Sequence, residues 1–464
     1  MKYQDDTIAA IITPIGEGGI SAIRISGNNA IAIANTCFRG KKSLSDVATH
    51  TAHYGNMVDE NEHLLDEVLA IVFKSPNSYT GEEVVEINCH GSVYLTNKIL
   101  ENILRCGARF AEPGEFTKRA FLKGKMDLTQ AEAVADLIHS RAELSYQSSL
   151  KQLKGVTSAK IHQIRDKVLD ICSLIELELD FSEEDFQFAE RKKTIESLSV
   201  IINVLEELIS SYNQGKLIRD GVKVVICGEP NVGKSSLLNA LLDEDRAIVT
   251  EISGTTRDVI EESVKINGVV FKFVDTAGLR QTDDIIEKEG IKRSSVQIQD
   301  ADLLLFVRDI TDQNQTKELV DVYGLTNLII EMKNVVLVMN KADLMDSKEL
   351  KSKGVIGNKD CIFVSAKTRD GLDELKSQLF SKAISDSLPL QERDITITSL
   401  RHKNLIQNAV EHFKKSMDGL SRNLSGEFIA LDLRIALNHL GEITGEVTTE
   451  EVLNNIFSKF CIGK

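Results

Sequence analysis

Cysteine is sparse in this sequence: seven residues in 464, with no Cys-x-x-Cys and no Cys/His cluster at zinc spacing. That excludes a disulfide framework and a structural zinc site, and reduced thiols fit the cytosol. Positive charge is short as well. Against 70 acidic residues stand 55 Lys and Arg, a formal net charge of −15. Such a balance excludes a sequence-blind nucleic-acid binder working by bulk electrostatics and leaves room only for a local basic patch. No apolar run is long enough to span a bilayer, and Asp5 and Asp6 stand where a signal peptide needs an apolar stretch. The expectation is a cytoplasmic protein with no membrane partner. What is present is ample core material, 42% hydrophobic, on a length that predicts about three domains.

The most specific stretch is Gly228-Glu229-Pro230-Asn231-Val232-Gly233-Lys234-Ser235, of the form G-x-x-x-x-G-K-S. Val222 to Cys227 before it reads as a buried strand, and Ser236 to Leu242 after it as the first turns of a helix. In that setting successive backbone N–H groups wrap a β-phosphate at a helix N-terminus, Lys234 reaches the β/γ oxygens, and Ser235 offers a hydroxyl to Mg²⁺. The run Thr250-Glu251-Ile252-Ser253-Gly254-Thr255-Thr256 follows, and Thr256 can add a second hydroxyl to the metal. A hairpin signal at Asn267-Gly268 leads into a strand ending in Asp275-Thr276-Ala277-Gly278, where Asp275 can hold Mg²⁺ through water and Gly278 can meet a γ-phosphate.

Further strands end in Asn340-Lys341-Ala342-Asp343 and Ser365-Ala366-Lys367. Asp343 can accept from guanine N1–H and N2–H₂, a donor pair adenine lacks, while the stem of Lys341 lies along the base. Strands stopping at polar motifs predict a doubly wound sheet with its crevice at those ends. Together these residues predict a GTP-binding domain resembling the translation-factor-like GTPases. Leu279 occupies the position where many GTPases carry a water-orienting glutamine, so hydrolysis needs another means of placing water. Gln281 to Glu287 offers carboxylates, and Arg257 and Arg280 offer positive charge; each can equally be a solvated loop residue.

Residues 1–120 read as strands mixed with two helices, a compact α+β domain. Arg24 and Glu86 alternate with isoleucine and valine, which predicts outward-facing strand positions. From Leu128 the chain turns helical. One apolar stripe runs through Ile161, Ile164, Val168, Cys172, Ile175 and Leu179, and another through Ile195, Leu198, Ile202, Leu205 and Ile209. The acidic Phe181 to Phe186 reads as a solvated loop. Lys118, Arg119, Lys123 and Lys125 form a basic cluster, a solvated face or an anion or RNA contact. Ile429, Leu433, Ala436, Leu437 and Leu440 outline a late helix, and one bundle built from both helical segments with the GTPase domain inserted is the simplest architecture. The predicted segments are 1–120, helical 121–217, GTPase 218–383 and helical 384–464.

Over essentially its full length the chain resembles the MnmE/TrmE family of tRNA-modification GTPases. The resemblance rests on Ala22 to Gly27, Glu86 to Gly91, Ala111 to Thr117, Gly124 to Leu128, the GTPase motifs and the terminal Phe460-Cys461-Ile462-Gly463-Lys464. It implies an N-terminal domain that forms a homodimer and binds 5,10-methylene- or 5-formyl-tetrahydrofolate, with Arg24, Glu86, Lys125 and Lys464 at the family's folate positions. Cations suit the folate carboxylates, and Glu86 suits the pterin. It implies a GTP site that takes in Asn231-Val232-Gly233-Lys234-Ser235-Ser236, residues 250–256 and the strand-end motifs, with Mg²⁺ on Ser235 and Thr256. It further implies K⁺ held by Asn231, Thr250, Ile252 and Thr255, hydrolysis by paired G domains, Glu287 as the water-orienting carboxylate and Cys461 in a catalytic role. The implied partner is the flavin- and NADH-dependent MnmG (GidA), in a heterotetramer that modifies C5 of the tRNA wobble uridine. A GTP-switched ribosome-assembly factor gripping RNA is the alternative.

Overall fold

The structure is a computed structural model that describes residues 6–180, 184–245, 261–275, 300–311, 334–345, 355–356, 359–384 and 395–464. Its contacts divide the chain into two units. One comprises residues 1–138, 151–202 and 408–464, the other residues 139–150 and 203–407.

The first unit holds a seven-stranded sheet made of β1 (Ile8–Ile11), β2 (Gly18–Ser26), β3 (Phe38–Gly40), β4 (Thr51–Val58), β5 (Leu64–Phe73), β6 (Val84–Gly91) and β7 (Arg109–Phe110). Their order is β3-β4-β5-β6-β2-β1-β7. Alternation does the sorting here. Ile23, Ile25, Val85 and Ile87 point to one face, where they pack with Ile31 of α1 (Ala30–Cys37) and Ile99 and Ile103 of α2 (Val93–Arg105). The opposite face carries Arg24 and Glu86, which are cross-strand partners. Two helices were expected in this segment, and the chain forms a third, α3 (Glu115–Leu122), launched from Gly114 in the left-handed region at φ 67°. Phe116, Thr117 and Ala120 give it a buried side.

The helical part of this unit includes α4 (Leu128–His139) and, after α5 (Glu143–Leu153) of the other unit, α6 (Val156–Asp180). Next comes α7 (Glu184–Asp220). Glu184, Asp185 and Phe186 therefore open a helix where a loop was expected. No glycine or proline interrupts residues 184–214, and acids suit a first helical turn. Residues 181–183 lie outside the described residues. The stripe Ile161, Ile164, Val168, Cys172, Ile175 is buried throughout.

Between residues 220 and 400 lie α8 (Lys234–Asp245) and α9 (Leu372–Ala383) of the second unit. They are followed by α10 (Leu400–Ser421), α11 (Gly426–Thr444) and α12 (Glu450–Phe457). Ile429, Leu433, Ala436, Leu437 and Leu440 of α11 are buried, and α11 packs on α6. Ion pairs Arg434–Glu176 and Arg165–Glu446 tie the same two regions. The bundle built from both halves of the sequence is what forms.

The second unit holds a seven-stranded sheet of β8 (Val222–Cys227), β9 (Glu261–Ile266), β10 (Val269–Asp275), β11 (Leu303–Asp309), β12 (Val335–Asn340), β13 (Val355–Ile356) and β14 (Lys359–Phe363). The order is β13-β14-β12-β11-β8-β10-β9, parallel from β14 to β10. Both faces are buried. Val224, Ile226 and Val338 pack with Leu237 and Leu375 of the helices, while Val225, Leu304 and Phe306 pack on the other side. That is why these strands read as unbroken apolar runs. The expected hairpin turn is present, with Asn267 and Gly268 both at positive φ, 47° and 80°.

Candidate functional site

The phosphate loop leaves β8 at Gly228 and closes onto α8 at Lys234. Three of its residues have positive φ: Gly228, Asn231 and Gly233. A Cβ at Gly228 would strike the Val307 carbonyl, and one at Gly233 the Asn340 amide. The loop thus presses its backbone against β11 and the end of β12, which leaves its N–H groups at the helix N-terminus for an anion. Lys234 is 7% exposed and its ammonium donates to the carbonyls of Gly228 (3.0 Å) and Glu229 (2.7 Å). Ser235, in the first turn of α8, is a hard oxygen donor of the kind Mg²⁺ takes.

Asn340 joins three motifs. It is 2% exposed, its Nδ2 donates to the Val232 carbonyl (2.9 Å), and its Oδ1 accepts from the Ala366 amide (3.1 Å). Beside it, the Ser365 hydroxyl donates to Asp343 (2.6 Å), and the Ala342 amide donates to the Val364 carbonyl (3.0 Å). The Lys341 ammonium pairs with Asp309 at 2.6 Å. Burial pushes the Asp309 carboxyl up, but Lys341 and the hydroxyl and amide of Thr311 outweigh it and hold it below the usual carboxylate range. Lys367 and Ser236 are exposed at the rim, and Asp275 closes β10 alongside Ile226 of β8. Thr250, Glu251, Ile252, Ser253, Gly254, Thr255, Thr256, Thr276, Ala277, Gly278 and Glu287 lie outside the described residues.

A second constellation lies in the N-terminal unit. Arg24 Nε donates to Glu86 Oε1 (2.9 Å) and its Nη2 forms an ion pair with the same oxygen (2.8 Å), with side chains 11% and 20% exposed. Alternation reads these two as outward-facing strand residues, with nothing in the pattern to say what covers that face. They are half-buried, because Tyr79 and Phe116 stack on the guanidinium at 5.0 and 5.5 Å. The tail docks at the same place. The Phe116 amide donates to the Lys464 carbonyl (3.1 Å) and the Gly114 amide to that of Cys461 (3.4 Å). Gly463, at φ 95°, lies against the Ile11 carbonyl.

Lys464 is thereby brought to Arg24 and Glu86. Burial and then the Arg24 charge depress its ammonium, partly opposed by Glu86 and Cys461. Lys125 reaches the loop that carries Tyr79, donating to the Pro76 carbonyl at 3.0 Å. Arg24 Nη1 is buried and has no hydrogen-bond partner among the described residues. A cation with an unmet donor, walled by two aromatic rings, fits a flat ligand carrying acceptors.

The basic cluster of the sequence does not form one face. Arg119 is 4% exposed and bound to Asp6, Glu82 and Glu115, and Lys118 donates to Asn454. Sequence reasoning missed Tyr79, Phe116 and Asp309 as parts of the two constellations. Asp309 had a signal, since it is a carboxylate at a strand end like Asp343. The two aromatics had none, because their role exists only once α3 and the loop fold over the sheet.

Sequence profiles described as MnmE helical domain and GTP-binding protein TrmE N-terminus match residues 128–461 and 7–125. The tRNA modification GTPase MnmE of Thermoanaerobacter pseudethanolicus is 45% identical over 467 residues, spanning 99% of both chains. Those of Flavobacterium johnsoniae and Christiangramia forsetii are 45% and 44% identical with the same coverage.

Proposed function

This chain belongs to the MnmE (TrmE) family of tRNA modification GTPases, and from that premise we propose how its two constellations divide the work. It is a GTP hydrolase that acts in tRNA modification. In our reading the GTPase domain, 218–383, binds GTP between residues 231–236 and the motifs at 340–343 and 365–367. Ser235 and Thr256 hold Mg²⁺, which supplies charge neutralisation at the phosphates. Asn231, Thr250, Ile252 and Thr255 hold K⁺ as a pair of G domains meets, and Glu287 orients water where Leu279 cannot.

The N-terminal domain, 1–120, dimerises and takes a tetrahydrofolate that supplies a one-carbon unit. Arg24, Lys125 and Lys464 face its carboxylates and Glu86 its pterin, with Cys461 alongside. Residues 461–464 at the end of the second helical segment bring the tail to that pocket. The product of the joint action with a flavin- and NADH-dependent partner of the MnmG (GidA) type is a wobble uridine modified at C5. Seven free thiols suit a cytoplasmic setting.

The observation that carries the folate reading is the buried, partnerless Nη1 of Arg24 beside Tyr79, Phe116 and the docked tail. Titration of the full chain with a reduced folate tests it. Saturable binding supports it, and absence of binding removes the folate role from the N-terminal domain. A deletion strain should lack the C5-modified wobble uridine. GTP turnover should fall sharply when Na⁺ replaces K⁺, and Glu287→Ala should keep GTP affinity while losing turnover.

A further inference from the structure

We infer that Asp309 is a positioning residue for the nucleotide base, acting by holding the Lys341 side chain extended as a preformed platform. The inference rests on the GTP-binding reading of this domain and names a residue outside its motifs. Four observations converge. Lys341 sits in the left-handed region, φ 66° and ψ 36°, where L side chains are uncommon and glycine is at ease. Its far end is also fixed, by the 2.6 Å pair to Asp309 Oδ2.

Asp309 is itself oriented, since its Oδ1 accepts from the Thr311 amide (2.9 Å) and hydroxyl (2.7 Å). Finally, Asp309 is the last residue of β11 in register with Asn340 of β12, and the Ile310 amide donates to the Asn340 carbonyl at 3.0 Å. The carboxylate is therefore carried on the same rigid frame as the motif it serves.

A free lysine side chain has four rotatable bonds to restrict when a base stacks on its stem. Pinning Cα by the turn and Nζ by Asp309 restricts them before the ligand arrives, which favours binding without adding a contact. The platform is apolar and blind to the exocyclic amine of the base, whereas Asp343 reads that amine. Loss of Asp309 should therefore weaken guanine and hypoxanthine nucleotides by the same factor.

The test is a double-mutant cycle on the full chain, with GDP and IDP affinities measured for the wild type, Asp309→Asn, Lys341→Met and the double variant. Lys341→Met keeps the apolar stem and removes the ammonium. Asp309→Asn is expected to weaken both GDP and IDP about fivefold when Lys341 is present. In the Lys341→Met background it should change either affinity by less than about twofold. Equal losses in the two backgrounds would mean a purely structural role and overturn the inference, as would no loss with Lys341 present. Should Asp309→Asn fail to fold, Asp309→Ser in the same two backgrounds gives the same decision. If the wild type binds no guanine nucleotide, the parent reading falls. If it binds and the cycle is additive, only the role of Asp309 falls.

Discussion

Arg24 and Glu86 face each other across adjacent antiparallel strands at 2.8 Å, yet the pair is incomplete: one guanidinium nitrogen stays buried without a hydrogen-bond partner among the described residues. One hydrogen bond from Nε and an ion-pair contact from Nη2 converge on a single carboxylate oxygen, which leaves the arginine fork only partly used. Tyr79 and Phe116 lie over the same guanidinium, so under the proposed folate reading it serves as a recognition element as well as a cross-strand tie.

Arg24→Ala removes both roles. Reduced-folate affinity should fall by at least about tenfold, and stability by about 1–3 kcal/mol because the Glu86 carboxylate is left partly buried and unpaired. Calorimetric titration and denaturant melts check the two parts separately. GDP affinity should be unchanged. Folate binding at wild-type strength would remove Arg24 from the pocket.

Gly463→Ala tests the tail. The position combines φ 95° with backbone contact to the Ile11 carbonyl, so no rotamer of a neighbour can relieve a methyl group there. The tail should undock, taking Lys464 away from Arg24 and Glu86. The expected signs are faster proteolysis after residue 457 and weaker folate binding, with GTP affinity retained.

Gly233→Ala addresses the nucleotide loop. Its φ is 93°, and an added Cβ would drive into the Asn340 amide that holds Val232. Displacing Asn340 leaves the Val232 carbonyl and the Ala366 amide short of a partner, about 1–3 kcal/mol of local destabilisation. GTP and GDP binding should be lost by equilibrium dialysis, while folate affinity persists.

The buried Arg119 cluster sets an acid limit. Burial pushes the Asp6 carboxyl up, but Arg109 and Arg119 outweigh it and hold it below its ordinary 3.8. Burial likewise raises Glu115, and Arg109, the Glu112 amide and Arg119 bring it below 4.5. The folded state therefore binds fewer protons than the unfolded chain at acid pH. The stability from these pairs is present above the unfolded values and is lost as pH falls from about 4.5 through the depressed ones. Melting temperature against pH should show a steeper acid drop in the wild type than in Arg119→Met. Parallel curves would refute the linkage.

The nucleotide motifs were legible because each is a run of neighbours at a strand end, and the chemistry of a phosphate loop is local to eight residues. The helical bundle was legible through the spacing of Ile161 to Ile175 and Ile429 to Leu440, since a stripe at 3.6 periodicity predicts a buried side regardless of its partner. The basic cluster misled. Lys118 and Arg119 are adjacent in sequence, yet on a helix neighbours point about 100° apart, so one reaches Asn454 and the other is buried among acids.

By itself the sequence determined the phosphate loop, the strand-end motifs, the apolar stripes and the family blocks, because all of these are short-range patterns of side-chain type. Only the tertiary structure decided where Arg24 and Glu86 lie. Alternation places them on the second face of a sheet and says nothing of what covers it. The cover comes from Tyr79, Phe116 and the Cys461–Lys464 tail, the tail more than 370 residues away along the chain. Burial there is a property of packing between distant segments, and no local pattern encodes it.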